Sequence, residues 1–148
     1  MIYAAFLLLV ALGLVTQAAI QFGRIGLTPA AIASYYRGGE TGDVMTFPKE
    51  FWQLLEVTHA HAFVMAVVFL VLAHLFVSTS LPDRTKAAFL TLAFVGTIGD
   101  LLSPWLVRYG AAWCAWIALA SWMAQGAGNL ALLVLSGREC LARQNQDA

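Results

Sequence analysis

The stretch EVTHAHAFVMAVVFLVLAHLF, residues 56–76, carries all three histidines of the 148-residue chain inside a run apolar enough to cross a bilayer. About 20 apolar residues in a helix span the ~30 Å hydrocarbon core. Ionisable groups inside such a helix are costly unless they meet a partner or line a functional site. The stretch is therefore read as a membrane helix whose imidazoles need an explanation.

Composition around it agrees. Hydrophobic residues make up 61% of the chain and charged ones 11%, against about 25% charged in a typical soluble domain. Too little polar surface is available to cover a water-soluble fold, so we expect an integral membrane protein whose first partner is the lipid bilayer. The formal net charge is zero, which argues against a nucleic-acid partner. Cys114 and Cys140 would stand about 39 Å apart on one helix, too far for a disulfide. Neither lies in a CxxCH motif, which excludes covalent c-type haem attachment.

Four apolar runs follow, at about 1–20, 52–79, 87–107 and 112–135. Short links, SLPDRTK and RYGA, make the last three runs antiparallel hairpins. The expected fold is all-α, a membrane-spanning four-helix bundle in one transmembrane domain. A long, partly helical loop, 21–51, joins helices 1 and 2, and a polar tail, 137–148, follows the last span. Within the loop, Thr28-Pro29 reads as a helix start and Gly38-Gly39 as a stop, predicting a helix over 29–37 whose Ile32, Tyr35 and Tyr36 rest on the membrane interface. Thr46 with Pro48 reads as the start of the histidine helix. Trp52, Trp105, Trp113 and Trp116 gather toward the loop face as an aromatic belt would. Basic residues tie at four on each side; the polar C-terminal tail and the basic hairpin set the expectation that both termini lie inside, with the long loop outside.

Helical geometry, at about 100° per residue, sorts the polar groups. His59 and His61 point about 200° apart, so HAH is no ready chelate for one ion. Glu56, His59, Phe63, Val67, Leu70 and His74 form one stripe, expected to turn inward, with His61 and Met65 on the opposite face. Counting depth from the hairpins predicts two polar layers. One holds Glu56, His59, His61, Asp100 and Gln17 toward the loop face; the other holds His74, Gln125 and Asn129 toward the hairpin face. Asp100 would act as a proton relay or pair with His61, His59 or Arg108. Gly96, Gly99, Gly126 and Gly128 permit close helix approach.

The spacing of His59 and His74 on one helix resembles that of the haem ligands in the cytochrome b family. The resemblance implies haem b held by His59 and His74 in an electron-transfer subunit. The chain departs from that family in having no histidine on a facing helix, so the second ligand would come from a second copy or from Met123. His61 and His74, thirteen apart, are similar in spacing to the copper subunits of particulate methane monooxygenase, but Val57 stands where the upstream acidic ligand belongs. His59, His61, His74, Asp100 and Glu56 are the corresponding candidate metal ligands for a copper-type site. As a whole the chain resembles small four-helix membrane proteins of bacteria with an LLExTHxH opening to the second helix, here Leu54, Leu55, Glu56, Thr58, His59 and His61. The leading expectation is a redox or metal-binding membrane subunit with haem b, in a homo-oligomer or larger complex, with quinone as a compatible small-molecule partner. The alternatives are a copper-type site, proton conduction along the stripe, and a metal-free structural or accessory subunit in which the polar groups only join helices.

Overall fold

The structure, a computed structural model, describes residues 2–41 and 44–144. Helix α1 covers Ile2–Ile20 and continues through a π-helical turn, Gln21–Ile25. A short helix α2, Pro29–Arg37, precedes a small antiparallel hairpin of β1, Gly39–Thr41, and β2, Val44–Thr46. Three long helices follow: α3, Phe51–Val77; α4, Asp83–Trp105, ending in a π turn at Leu106–Gly110; and α5, Ala115–Gln144. Four segments are long and apolar enough to cross a membrane: Ile2–Ile25, Phe51–Val77, Asp83–Gly110 and Ala112–Ala142. The chain is an all-α integral membrane protein, and helices satisfy the backbone polar groups that hydrocarbon cannot.

The ends of the elements depart from expectation for local reasons. Helix α4 begins at Asp83, directly after Pro82, with an acidic side chain in its first turn where the helix dipole favours it. Lys86 Nζ donates to the Val77 carbonyl at 2.9 Å, closing the end of α3 onto the start of α4. The residues expected as a tail from 137 onward continue α5 as helix through Gln144.

Helix α2 forms where expected. Thr28 caps it, its Oγ1 accepting from Ala31 N at 3.2 Å, and Gly38 ends it at φ 78°. Its placement is different from the one expected. Ile32 and Tyr36 do not rest on the membrane interface; they are buried with Leu54, Val107, Cys114, Ala118 and Trp122, plugging the loop-face end of the bundle. Arg37 fixes the plug by donating from Nη1 to the carbonyls of Val107 at 3.0 Å and Gly110 at 3.1 Å, which a helix end leaves without ladder partners. Arg108 Nε donates back to the Lys49 carbonyl at 2.8 Å. Thr46 does not start α3: Glu50 occupies that cap position, and Thr46 Oγ1 donates to the Gly39 carbonyl at 3.0 Å within the hairpin.

The bundle is held chiefly by α4 against α5. A Cβ on Gly128 would lie 2.7 Å from both Cα and N of Ala93; one on Gly96 would overlap the Gln125 backbone, and one on Gly99 the Ser121 side chain. Small residues let the two backbones touch, as membrane helices do when packing rather than water drives association. Toward the hairpin end, Val10, Leu72, Phe76, Ala93 and Leu132 make a second apolar cluster. Helix α1 is the looser member. Val10 is its one buried residue among those described, and it rests on α5, leaving a cleft toward α3.

Replacing Gly128 by Ala should lower thermal stability in detergent by about 1–3 kcal/mol through overpacking. Gly126→Ala, where a Cβ meets nothing within 4 Å, should change it by less than about 0.5 kcal/mol. Thermal unfolding of the two variants side by side checks this.

Candidate functional site

The two expected polar layers merge into one. Equal counts on either side of the α4–α5 turn share a depth, so Gln125 falls opposite Gly96, near His61, and not beside His74. His61, Asp100, Gln17, Gln125 and Asn129 all line one cleft of about 500 Å³ between α1, α3 and α5. Its remaining walls are apolar, including Phe6, Leu9, Val10, Val64, Met65 and Val68. A second pocket of about 260 Å³ shares Gln17, His61 and Asp100 with the cleft and reaches Gln53, Tyr35 and Lys49 on the loop face.

Asp100 is the centre of the layer. Trp122 Nε1 donates to its Oδ1 at 2.7 Å, and the Gln125 side chain hydrogen-bonds it as well. Pro104, four residues on, has no N–H to give the Asp100 carbonyl; Ser103 Oγ donates to that oxygen instead, at 3.5 Å. Asp100 therefore brings both a carboxyl and a backbone oxygen released from the helix ladder. His61 Nδ1 lies 3.0 Å from the Val57 carbonyl. A carbonyl only accepts, so Nδ1 carries the proton, and Nε2 is the nitrogen available to a bound molecule. Tyr36 approaches from the α2 plug. Burial first, and then the neighbouring Asp100 and Tyr35, push its hydroxyl well above the ordinary tyrosine range.

The other expected ligands are elsewhere. The stripe expected to face inward is exposed: Glu56, His59 and His74 are exposed, with Phe63, Val67 and Leu70 beside them at 61–68% exposure, and His74 also borders a cavity between α1, α3 and α5 at the hairpin-face end. Helix α3 is apolar on all sides, so lipid and bundle interior are equally acceptable to either face. The side that turns inward is set by Leu54, Leu72 and Phe76, which are buried. The His59 ring packs edge-on to Phe63, with centroids 5.1 Å apart. Met123 is 67% exposed on α5 and joins neither His59 nor His74 at a common cavity. Among the described residues of one chain, no second axial ligand stands opposite either imidazole. Helix α3 stays regular through Glu56 and His61, so His59 and His61 diverge, and no three His, Cys, Asp or Glu side chains among the described residues form a metal-binding group.

Trp122 and Pro104 shape the site without an expectation from the sequence, although the sequence carries a signal for each. Trp122, Gln125 and Asn129 repeat at i, i+3, i+7, one helical face, and a buried indole N–H needs an acceptor. Asp100 and Pro104 have the i, i+4 spacing that frees a carbonyl.

A family profile for a transmembrane helical domain, Aq_1264_TM, matches residues 26–147. The chain belongs to this family. The Aq_1264_TM match starts after α1, so α2 to α5 and His61, Asp100, Trp122 and Gln125 lie within it, while Gln17 lies outside. Comparison with curated proteins and with solved structures returns no match.

Proposed function

We propose that the protein is a membrane redox subunit that binds a lipophilic carbonyl compound of the quinone class in the α1–α3 cleft. The observation that carries this reading is the form of the cleft: an apolar slot of about 500 Å³ with its polar groups gathered at His61, Asp100, Gln17, Gln125 and Asn129. Sites for small molecules combine an apolar lining with a few placed polar groups that fix orientation. The amide N–H groups of Gln17, Gln125 and Asn129 suit a quinone carbonyl, and His61 Nε2 and Asp100 suit the hydroxyl of the reduced form. The smaller pocket extends from the same polar groups toward Lys49 and Gln53 on the loop face.

Titration with a short-tailed quinone, read by quenching of tryptophan fluorescence, tests the reading, because Trp122 adjoins the site. Loss of one hydrogen bond to the ligand is worth about 0.5–1.5 kcal/mol, so His61→Ala should weaken binding by up to about tenfold. His59→Ala, on the outer face, should leave binding unchanged. Equal affinity in wild type and His61→Ala contradicts the assignment.

A second reading rests on the outward stripe. Two imidazoles on a lipid-facing surface are costly without a partner, and two copies meeting along α3 would set His59 and His74 against their counterparts, the arrangement bis-histidine haem b requires. Protein purified from haem-supplied cells should then show a Soret band and split α/β bands on reduction, diminished in both His59→Ala and His74→Ala. A colourless preparation leaves the quinone cleft alone.

A further inference from the structure

The cleft of about 500 Å³ extends well beyond its polar end. Gln17, His61, Asp100 and Gln125 gather toward the loop face, with Asn129 one turn of α5 further along. From there to the hairpin end the walls are apolar, with Phe6, Leu9 and Val10 on α1 facing Val64, Met65 and Val68 on α3. Gln17 stands eleven positions after Phe6, roughly 16 Å of helix, which is more than one aromatic ring fills. Gly13 borders this stretch. Glycine weakens a helix interior, and a Cβ at Gly13 would meet nothing within 4 Å, so close helix packing does not account for it. Its missing side chain widens the slot partway between Phe6 and Gln17.

We propose, resting on the quinone reading of the cleft, that this apolar length holds the hydrocarbon tail of a lipid quinone whose ring stays at the polar layer, and that Gly13 is the residue that admits the tail. Only one direction suits such a tail. On the loop side of His61 the smaller pocket is lined by Gln21, Lys49 and Gln53, and hydrocarbon laid there would take those groups out of water without giving them partners. On the hairpin side Phe6 and Val68 pack against the apolar cluster of Leu72, Phe76 and Leu132, so the slot stays apolar to its end. Helix α1 rests on α5 and leaves the cleft toward α3, and the tail fills that gap. Lipid chains are as apolar as the slot, so hydrocarbon alone gains nothing by leaving the bilayer for it. Hydrogen bonds between the ring and the polar layer hold the tail in place, which selects a chain joined covalently to a polar ring over a free acyl chain.

The full-length protein in phosphatidylcholine nanodiscs is photolabelled with a decylbenzoquinone whose tail ends in a diazirine, and the adducts are mapped by mass spectrometry. Adducts should fall on Phe6, Leu9, Val64 and Val68, and excess short-tailed quinone should reduce them at least about tenfold. Gly13→Leu should cut this labelling about tenfold more than it cuts tryptophan quenching by the short-tailed quinone. Val64→Phe, on the facing wall, should show the same split and stands in if Gly13→Leu does not fold. Adducts on Ile20, Ile25 or Tyr35, or spread over the outer faces of α4 and α5, overturn the tail path while intact quenching leaves the quinone site standing. Slot adducts that persist under excess short-tailed quinone mark a groove for any hydrocarbon chain and overturn the proposal as well. Equal losses of labelling and quenching in both variants overturn the role of Gly13. Absence of quenching in wild type removes the quinone reading and the tail path with it.

Discussion

The backbone contact between α4 and α5 is the constraint on which the rest of the structure depends. Gly96 on the Gln125 backbone, Gly99 on Ser121 and Gly128 on Ala93 fix both the separation and the register of the two helices. With that register set, Asp100 falls within 2.7 Å of the Trp122 indole. A membrane interior offers no water to repair a missed pairing, so a one-residue slip would leave a carboxyl and an indole N–H without each other. The glycines and the hydrogen bond are thus one device: close approach makes the polar pair possible, and the polar pair rewards only one register.

From that pair the chain builds outward. The α2 plug seals the loop-face end through Ile32 and Tyr36, with Arg37 bound to the exposed carbonyls of the α4 terminus. Helix α3 brings His61 to the same layer, and α1 adds Gln17 while remaining the least buried of the four spans. A firmly packed α4–α5 pair beside a loosely held α1 is what gives the cleft its opening toward lipid. The polar layer is the candidate site because α1, α3, α4 and α5 each contribute to it a group able to hydrogen-bond.

Much of the architecture was legible in the sequence because its causes are local. Span lengths follow from apolar runs, and α2 from Thr28, Pro29 and Gly38. Facing was the part that local reasoning could not reach. In a soluble helix the apolar stripe marks the core, but α3 is apolar all round, and burial of Leu72 and Phe76 rather than any pattern decides that His61 looks in and His59 and His74 look out. Depth failed for a different reason. Depth counted from the short hairpin puts Gln125 beside His74, whereas counting across the Gly110–Ala111 turn sets it against Gly96. The small hairpin, β1 with β2, had no expectation attached, since Gly39–Thr46 offers too short a pattern to read.

The central claim is that one face of α3, carrying His61, closes the polar layer while the face carrying His59 and His74 meets lipid. Spin labels placed singly at 59, 61 and 74 in a cysteine-free background, with collision rates measured against oxygen dissolved in the bilayer, test it most directly. High oxygen accessibility at 59, an intermediate value at 74 where the side chain borders the hairpin-face cavity, and low accessibility at 61 is the result the structure predicts. High accessibility at 61 with protected labels at 59 and 74 would contradict it, and would move the site to the other side of the helix.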